Sequence, residues 1–459
     1  MTWSQRYRLK SYLRSSLWII PIGAIVINLT LAKLVHSLDA RLGWAGANLG
    51  LDGAKALCNT VITFALSFVV FTFGSLLVAI QVASGQYTPR IIATTLLRDN
   101  VIRFTVGLFV LTLMFSVRAL DRIETAVSQL VVFITGFLGL ACLVAFLFLI
   151  DYAARLLRPV SLVKRVGEAG LRVIESVYPE KLEGAKRPPP ADADVGPVER
   201  TVLHRGTSGI ILAVNVPQLI AEAKRTHGVI EFAPQVGDFV GVEEPLFLLR
   251  GGAAAIDDAT LRGCVIFGSE RTLEQDPLFA IRILVDIAIK ALSAAINDPT
   301  TAVLAIDQLH RLVRSAGRRN LRTDHICGPE GNVRMILRTP NWDDFVHLAF
   351  TEIRYCGAGN IQIARRLRAM LVNLAETLPA ERHDALRQEL GRLDTMLEKL
   401  HVLPADLALA RVPDPQGLGG ATHGNTVTDR SNAPRQSGDT STPQPQPNTK
   451  PEPEYARQP

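Results

Sequence analysis

Residues 61–83 read VITFALSFVVFTFGSLLVAIQVA, an unbroken run without a charged side chain. A helix rises about 1.5 Å per residue, so about 20 apolar residues cross a hydrocarbon core about 30 Å thick. Three more apolar segments flank this one, at 15–32, 101–120 and 126–150, and the last is also free of charge. Nothing comparable follows. The chain reads as four transmembrane helices and then a long polar remainder. Its overall 48% hydrophobic and 20% charged content averages the two halves over 459 residues.

The net charge of +6 is placed where a membrane protein keeps it. Arg6, Arg8, Lys10 and Arg14 precede the first segment, and Arg155, Arg158, Lys164 and Arg165 follow the fourth. Basic residues flanking spans are retained on the cytoplasmic side. The loop at 36–60 is balanced, the short loop near 121–124 is balanced, and the loop at 84–100 carries Arg90 and Arg98 against Asp99. Four spans with both termini in the cytoplasm of a cell inner membrane satisfy this distribution. No basic face with interleaved aromatics accompanies it, so nucleic acid is not expected. The first segment is too long for a removed signal peptide and begins or kinks at Pro21. The third is the shortest, and Arg103 and Arg118 at its ends are expected to snorkel to the headgroups.

No Asp, Glu or His lies in the middle of a span, which argues against carriage coupled to a buried carboxylate. The second span does place Thr60, Ser67, Gly74 and Gln81 seven residues apart, on one helix face. Small and polar residues there suit helix packing, and in an oligomer they also suit a pore-lining face. A homo-oligomer in the lipid bilayer is the expected assembly. The five cysteines are scattered with no CxxC pair, and no metal-ligand spacing appears.

The remainder divides by composition. A four-helix transmembrane domain covers 1–155, with a helical extension at 156–182 and a proline-rich linker at 183–196. A small β-rich module at 197–270 then precedes a helical domain at 271–410. The last part, 411–459, is rich in Pro, Gln, Ser and Thr and is expected to be disordered. Short β-branched runs at 209–214, 229–232, 246–249 and 264–267 predict strands, interrupted by a helix at 217–226. The stretch from Ala233 resembles the barrel-sandwich modules that carry lipoyl or biotinyl groups, but the hairpin lysine is absent, so no cofactor is expected. The fold class is an α-helical membrane region followed by a cytoplasmic α+β domain with a C-terminal helical part.

Two Asp-Pro pairs, Asp276–Pro277 and Asp298–Pro299, each open an apolar-periodic run. Asp accepts hydrogen bonds from the first amides of a helix and Pro is preset for its first position, so two helix starts are predicted. Arg282, Asp286 and Lys290 lie four apart on the first of these helices. A binding reading gathers Arg271, Asp276, Arg282, Asp286, Asn297, Asp298 and Thr300 around the helix termini for a charged ligand. The alternative is capping and an ion-pair ladder. Three further helices are predicted at 343–355, 360–377 and 379–400.

The motifs ASGQYTPR (83–90), DPLFAIRILVDIA (276–288) and LSAAINDPTTA (292–302) resemble those of a bacterial family of predicted inner-membrane proteins, domain of unknown function 2254. The similarity runs from about residue 17 to 400, with Gly85 and Tyr87 departing from the expected pattern. It implies a multi-pass membrane protein with a cytoplasmic domain and carries no catalytic roles. Gln86 and Arg90 then fall at the cytoplasmic mouth of span two, positioned to couple it to the later helices. No nucleophile–base pair, paired carboxylates or phosphate loop is present, so an enzyme is not expected. Two functions remain: a channel- or transport-like oligomer regulated by its cytoplasmic domain, or a membrane-tethered sensor or scaffold.

Overall fold

The computed structural model describes residues 3–16, 18–42, 49–86, 99–123, 127–156, 158–182, 195–321, 324–328 and 331–420. A short helix, α1 (Trp3–Ser15), precedes four helices long and apolar enough to cross a membrane: α2 (Ile19–Leu42), α3 (Leu51–Gln86), α4 (Asn100–Asp121) and α5 (Gln129–Leu156). Pro21 sits in the first turn of α2, where its missing N–H costs nothing. The third of them, α4, is the central helix, packed on α2, α3 and α5. About half of it is buried inside the protein, against about a fifth for each of the others. That explains how it tolerates a shorter apolar stretch: part of its surface meets protein instead of lipid.

Two sequence expectations change here. Arg103 does not snorkel. It is buried, and its Nη2 donates to the Leu13 carbonyl at the end of α1 at 2.7 Å, which satisfies an otherwise open helix C-terminus. The tight helix packing also lies elsewhere than on the Ser67–Gly74–Gln81 face. A Cβ on Gly107 would stand 2.7 Å from Ile20 of α2, and one on Gly139 would stand 2.7 Å from Val61 of α3. Ser67, Gly74 and Gln81 are all exposed on the surface of α3, and nothing lies within 4 Å of where a Gly74 Cβ would be.

The fourth apolar helix does not run on continuously. Arg158 is extended (ψ 135°), as a residue before proline prefers, and α6 (Pro159–Val177) starts afresh with proline in its first turn. Buried Leu162, Val163, Val166 and Ile174 join α6 to the helical core behind it.

Strands β1 (Arg200–Leu203), β2 (Gly209–Val214), β3 (Val229–Phe232), β4 (Phe239–Val240), β5 (Pro245–Arg250) and β6 (Val265–Gly268) follow, with helices α7 (Val216–Arg225) and α8 (Asp258–Arg262) between them. Next come α9 (Pro277–Ala291) and α10 (Pro299–Gly317), which begin at the two predicted prolines. The chain then returns to the sheet with β7 (His325–Cys327) and β8 (Val333–Leu337). A five-stranded sheet has the order β1-β5-β3-β8-β7, with β8 parallel to β3, and a three-stranded sheet has the order β4-β2-β6. The β-rich part therefore takes two strands from beyond residue 270. Pairing Ile230 with Met335 is a contact across more than a hundred residues, invisible to local periodicity.

Helices α11 (Trp342–Gly357), α12 (Ile361–Thr377), α13 (His383–Leu400) and α14 (Pro404–Ala410) complete the helical layer. At its centre lies α9, buried on every side but the one that carries Arg282, Asp286 and Lys290. The first residues after 410 are ordered, contrary to the expectation for 411–459. Asp414 is fully buried and accepts the amides of Gln416, Gly417 and Gly419, while the buried Arg365 of α12 donates to Val412 O at 3.1 Å and Gly419 O at 2.7 Å. A few polar bonds hold this segment where composition offered no apolar anchor.

Candidate functional site

The candidate spans are joined by a polar clasp to α6, the helix that packs on α9 and α10. Asp99 caps α4, accepting from Val101 N at 2.9 Å and Ile102 N at 3.4 Å. Its other oxygen, Oδ2, accepts from Tyr152 Oη of α5 at 2.6 Å and from Arg165 Nη1 of α6 at 2.9 Å. Arg165 Nη2 also donates to Tyr152 Oη at 2.8 Å, which closes a three-residue ring. Asp99 is buried, so its charge is compensated by a cap, a phenol and a guanidinium together. Beside the ring is an open cavity of about 390 Å³, lined also by Glu168, Arg172 and Leu273. Leu273 lies in the turn just ahead of α9, so α4, α5, α6 and that turn share this cavity. An acid ahead of an apolar run was a legible cap signal at Asp99. Its partners, 53 and 66 residues away, were not legible.

The residues singled out by the sequence separate into four groups. Gln86 ends α3, and Arg90 lies outside the described residues. Asp276 caps α9 through Leu278 N and Phe279 N, both at 3.1 Å, with Arg271 Nη1 at 3.4 Å. The turn at Gly237 (φ +95°) sits so close that a Cβ there would lie 2.5 Å from Asp276 Oδ2. Burial raises the Asp276 carboxyl to about 6, with Arg271 and the two amides opposing and Asp238 adding to the rise.

Arg282 pairs with Asp286 on its own helix, Nε to Oδ1 at 2.6 Å, and with Glu352 of α11, Nη2 to Oε2 at 2.9 Å and a second contact from Nη1. The hydrogen bond to Glu352 is the chief reason the guanidinium is held above its usual range. Asn297, Asp298 and Thr300 belong to the turn after α9. Asp298 caps α10 through Thr301 N at 3.0 Å, and Asn297 takes a left-handed conformation (φ +47°) that Asn tolerates better than most residues. Asn297 and Thr300 are exposed. With 15 residues in α9, the Asp276 and Asp298 ends stand about 22 Å apart. The seven residues therefore do not converge on one site. The geometric reason is that successive helix starts in an antiparallel hairpin lie at opposite ends.

A further cluster had no sequence signal. His310 of α10 is half-buried; its Nδ1 faces Arg366 Nη2 at 3.3 Å and its Nε2 faces Asn373 Oδ1 at 3.0 Å. Arg314 Nη2 also faces Nε2 at 3.0 Å, and a guanidinium only donates, so each ring nitrogen meets a cation and the ring must be neutral for either to accept. Burial, then Arg366 and Arg314, lowers His310 to about 4. Arg366 is itself held by Asp307 at 2.8 Å. Elsewhere, Arg354 pairs with the buried Glu389 at 2.5 Å, while His347 and Tyr355 face solvent. Among the described residues no three His, Cys, Asp or Glu side chains gather to hold a metal ion.

Four helices of membrane-crossing length, clasped at one end to an α+β part, have the architecture of a helical membrane protein with a large extramembrane portion. The chain belongs to the family described as predicted membrane protein (DUF2254), whose model matches residues 14–373. It is similar to an uncharacterised protein of Mycobacterium bovis and to one of Mycobacterium tuberculosis. Each is 24% identical over 393 residues, covering 81% of this chain and 74% of the relative. No solved structure matches the chain.

Proposed function

We infer that this protein forms a channel- or transport-like homo-oligomer in a bacterial inner membrane, with both termini in the cytoplasm and its α+β part acting as regulator. The observation that carries the reading is the exposed polar stripe of α3. Ser67, Gly74 and Gln81 are not used for packing within the chain, where Gly107 and Gly139 provide the close approaches. The Ser67 hydroxyl is satisfied by Thr63 O at 2.7 Å, so the exposed Gln81 amide is the group that hydrocarbon would leave unsatisfied, and a second copy or a water-filled path relieves that cost. The Asp99–Tyr152–Arg165 clasp supplies a mechanical link from the α+β part to α4 and α5.

The test is reconstitution into liposomes of Ser67→Cys and Gly74→Cys variants on a background lacking the native cysteines. Cross-links between copies are expected at both positions, with ion or solute flux that Gln81→Leu reduces. Single copies without cross-links, and no flux under voltage or tension, overturn the reading.

A further inference from the structure

A cavity of about 730 Å³ opens at the end of α6 remote from Pro159, between that helix, the last turns of α10 and the end of α12. Its lining is unusually basic. Lys181, Arg311, Arg314, Arg318 and Arg319 contribute to it, against one acid, Glu376. Residues 311, 314 and 315 lie three and four apart on one face of α10, and Arg318, its C-terminal capping residue, continues that face. Like charges at that spacing destabilise a helix unless something offsets them.

Arg319 is committed to the fold, donating to Tyr178 O at 2.7 Å and facing Glu175 at 3.3 Å. The others are not neutralised. Among the described residues neither Arg311 nor Arg318 has a carboxylate partner. Arg314 makes its bonds to neutral Asn373 and His310, and its Nε is buried without a partner. Burial first, and then the nearby Arg318 and Arg366, pulls the Arg314 guanidinium below its ordinary range.

Basic residues in a last helical turn complement the helix dipole, which accounts for Arg314 and Arg318 in part. It does not account for Arg311, a turn earlier, or for Lys181, which arrives from another segment. The lining also includes the apolar Leu171, Leu182, Leu378 and Pro379. Guanidiniums recognise phosphate through paired N–H donors, and a volume of this order fits a small organic ligand.

We propose that this cavity binds a soluble organic phosphate of nucleotide size, its phosphates held by Arg311, Arg314 and Arg318 and its uncharged portion resting on Leu171 and Leu378. The site is independent of whether the apolar helices conduct.

The experiment uses the full chain in phosphatidylcholine nanodiscs, titrated calorimetrically with ADP and with pyrophosphate. Saturable binding of both is expected, with ADP the tighter. The Arg311→Gln, Arg318→Gln double variant should weaken ADP at least tenfold with an unchanged melting temperature. Arg205→Gln with Arg338→Gln, which removes the same charge at exposed positions away from both cavities, should leave binding unchanged. Absence of saturable binding to the wild-type chain overturns the proposal, and so does equal weakening by the control pair. Loss of ADP binding in phosphatidylglycerol nanodiscs gives the cavity to a lipid headgroup and overturns the soluble ligand.

Discussion

Asp276 shows how one residue can serve the fold at an electrostatic cost. It caps α9 and supports the Gly237 turn, yet it is 4% exposed and its carboxyl is raised from 3.8 to about 6. Between those values the folded state holds a proton that the unfolded chain has released. Stability therefore falls as pH rises through this window and is level above it. A shift of about two units corresponds to about 3 kcal/mol as an upper figure. Asn caps a helix nearly as well as Asp. Asp276→Asn should therefore gain stability relative to the wild type at pH 7.5 and change little at pH 4.5, measured as denaturant midpoints. A larger loss at pH 7.5 than at pH 4.5 shows that pairing with Arg271 outweighs the burial penalty.

At the scale of elements, the candidate spans separate faces that a helical wheel treats alike. Gly139 and Gly74 are both small residues in apolar helices. Only Gly139 faces a neighbour, with Val61 where its Cβ would go. Gly139→Leu should lower thermal stability in detergent by about 1–3 kcal/mol, as overpacking does. Gly74→Leu should leave the single chain's melting temperature unchanged, since its surroundings are open. Equal losses from both would mean that the exposed face is buried in the purified protein. Four apolar helices, the predicted strands at 209–214 and 229–232, and the starts of α9 and α10 were legible, because local periodicity and capping chemistry specify them. The break at Arg158 was legible in Pro159, which disfavours a helical residue before it.

For the whole molecule, the segment after α14 matters more than its composition suggests. Arg365 is fully buried and relies on Val412 and Gly419 for its hydrogen bonds. A chain ending at 410 strands that guanidinium, and the loss of charged hydrogen bonds is worth about 2 kcal/mol or more. It should melt well below a chain ending at 420, whose melting temperature should match that of the full length. Identical melting of the two shortened forms would show that the segment contributes nothing.

The sequence by itself determined the apolar helices, the helix starts at Pro277 and Pro299, and the family, because each rests on a contiguous pattern of residues. Only the tertiary structure decided that β8 pairs with β3, that Arg165 reaches Asp99, that Arg282 reaches Glu352, and that five cations from two segments share one cavity. Those contacts join residues tens to more than a hundred positions apart. Their partners are chosen by how helices and sheets pack, and no local period records that choice.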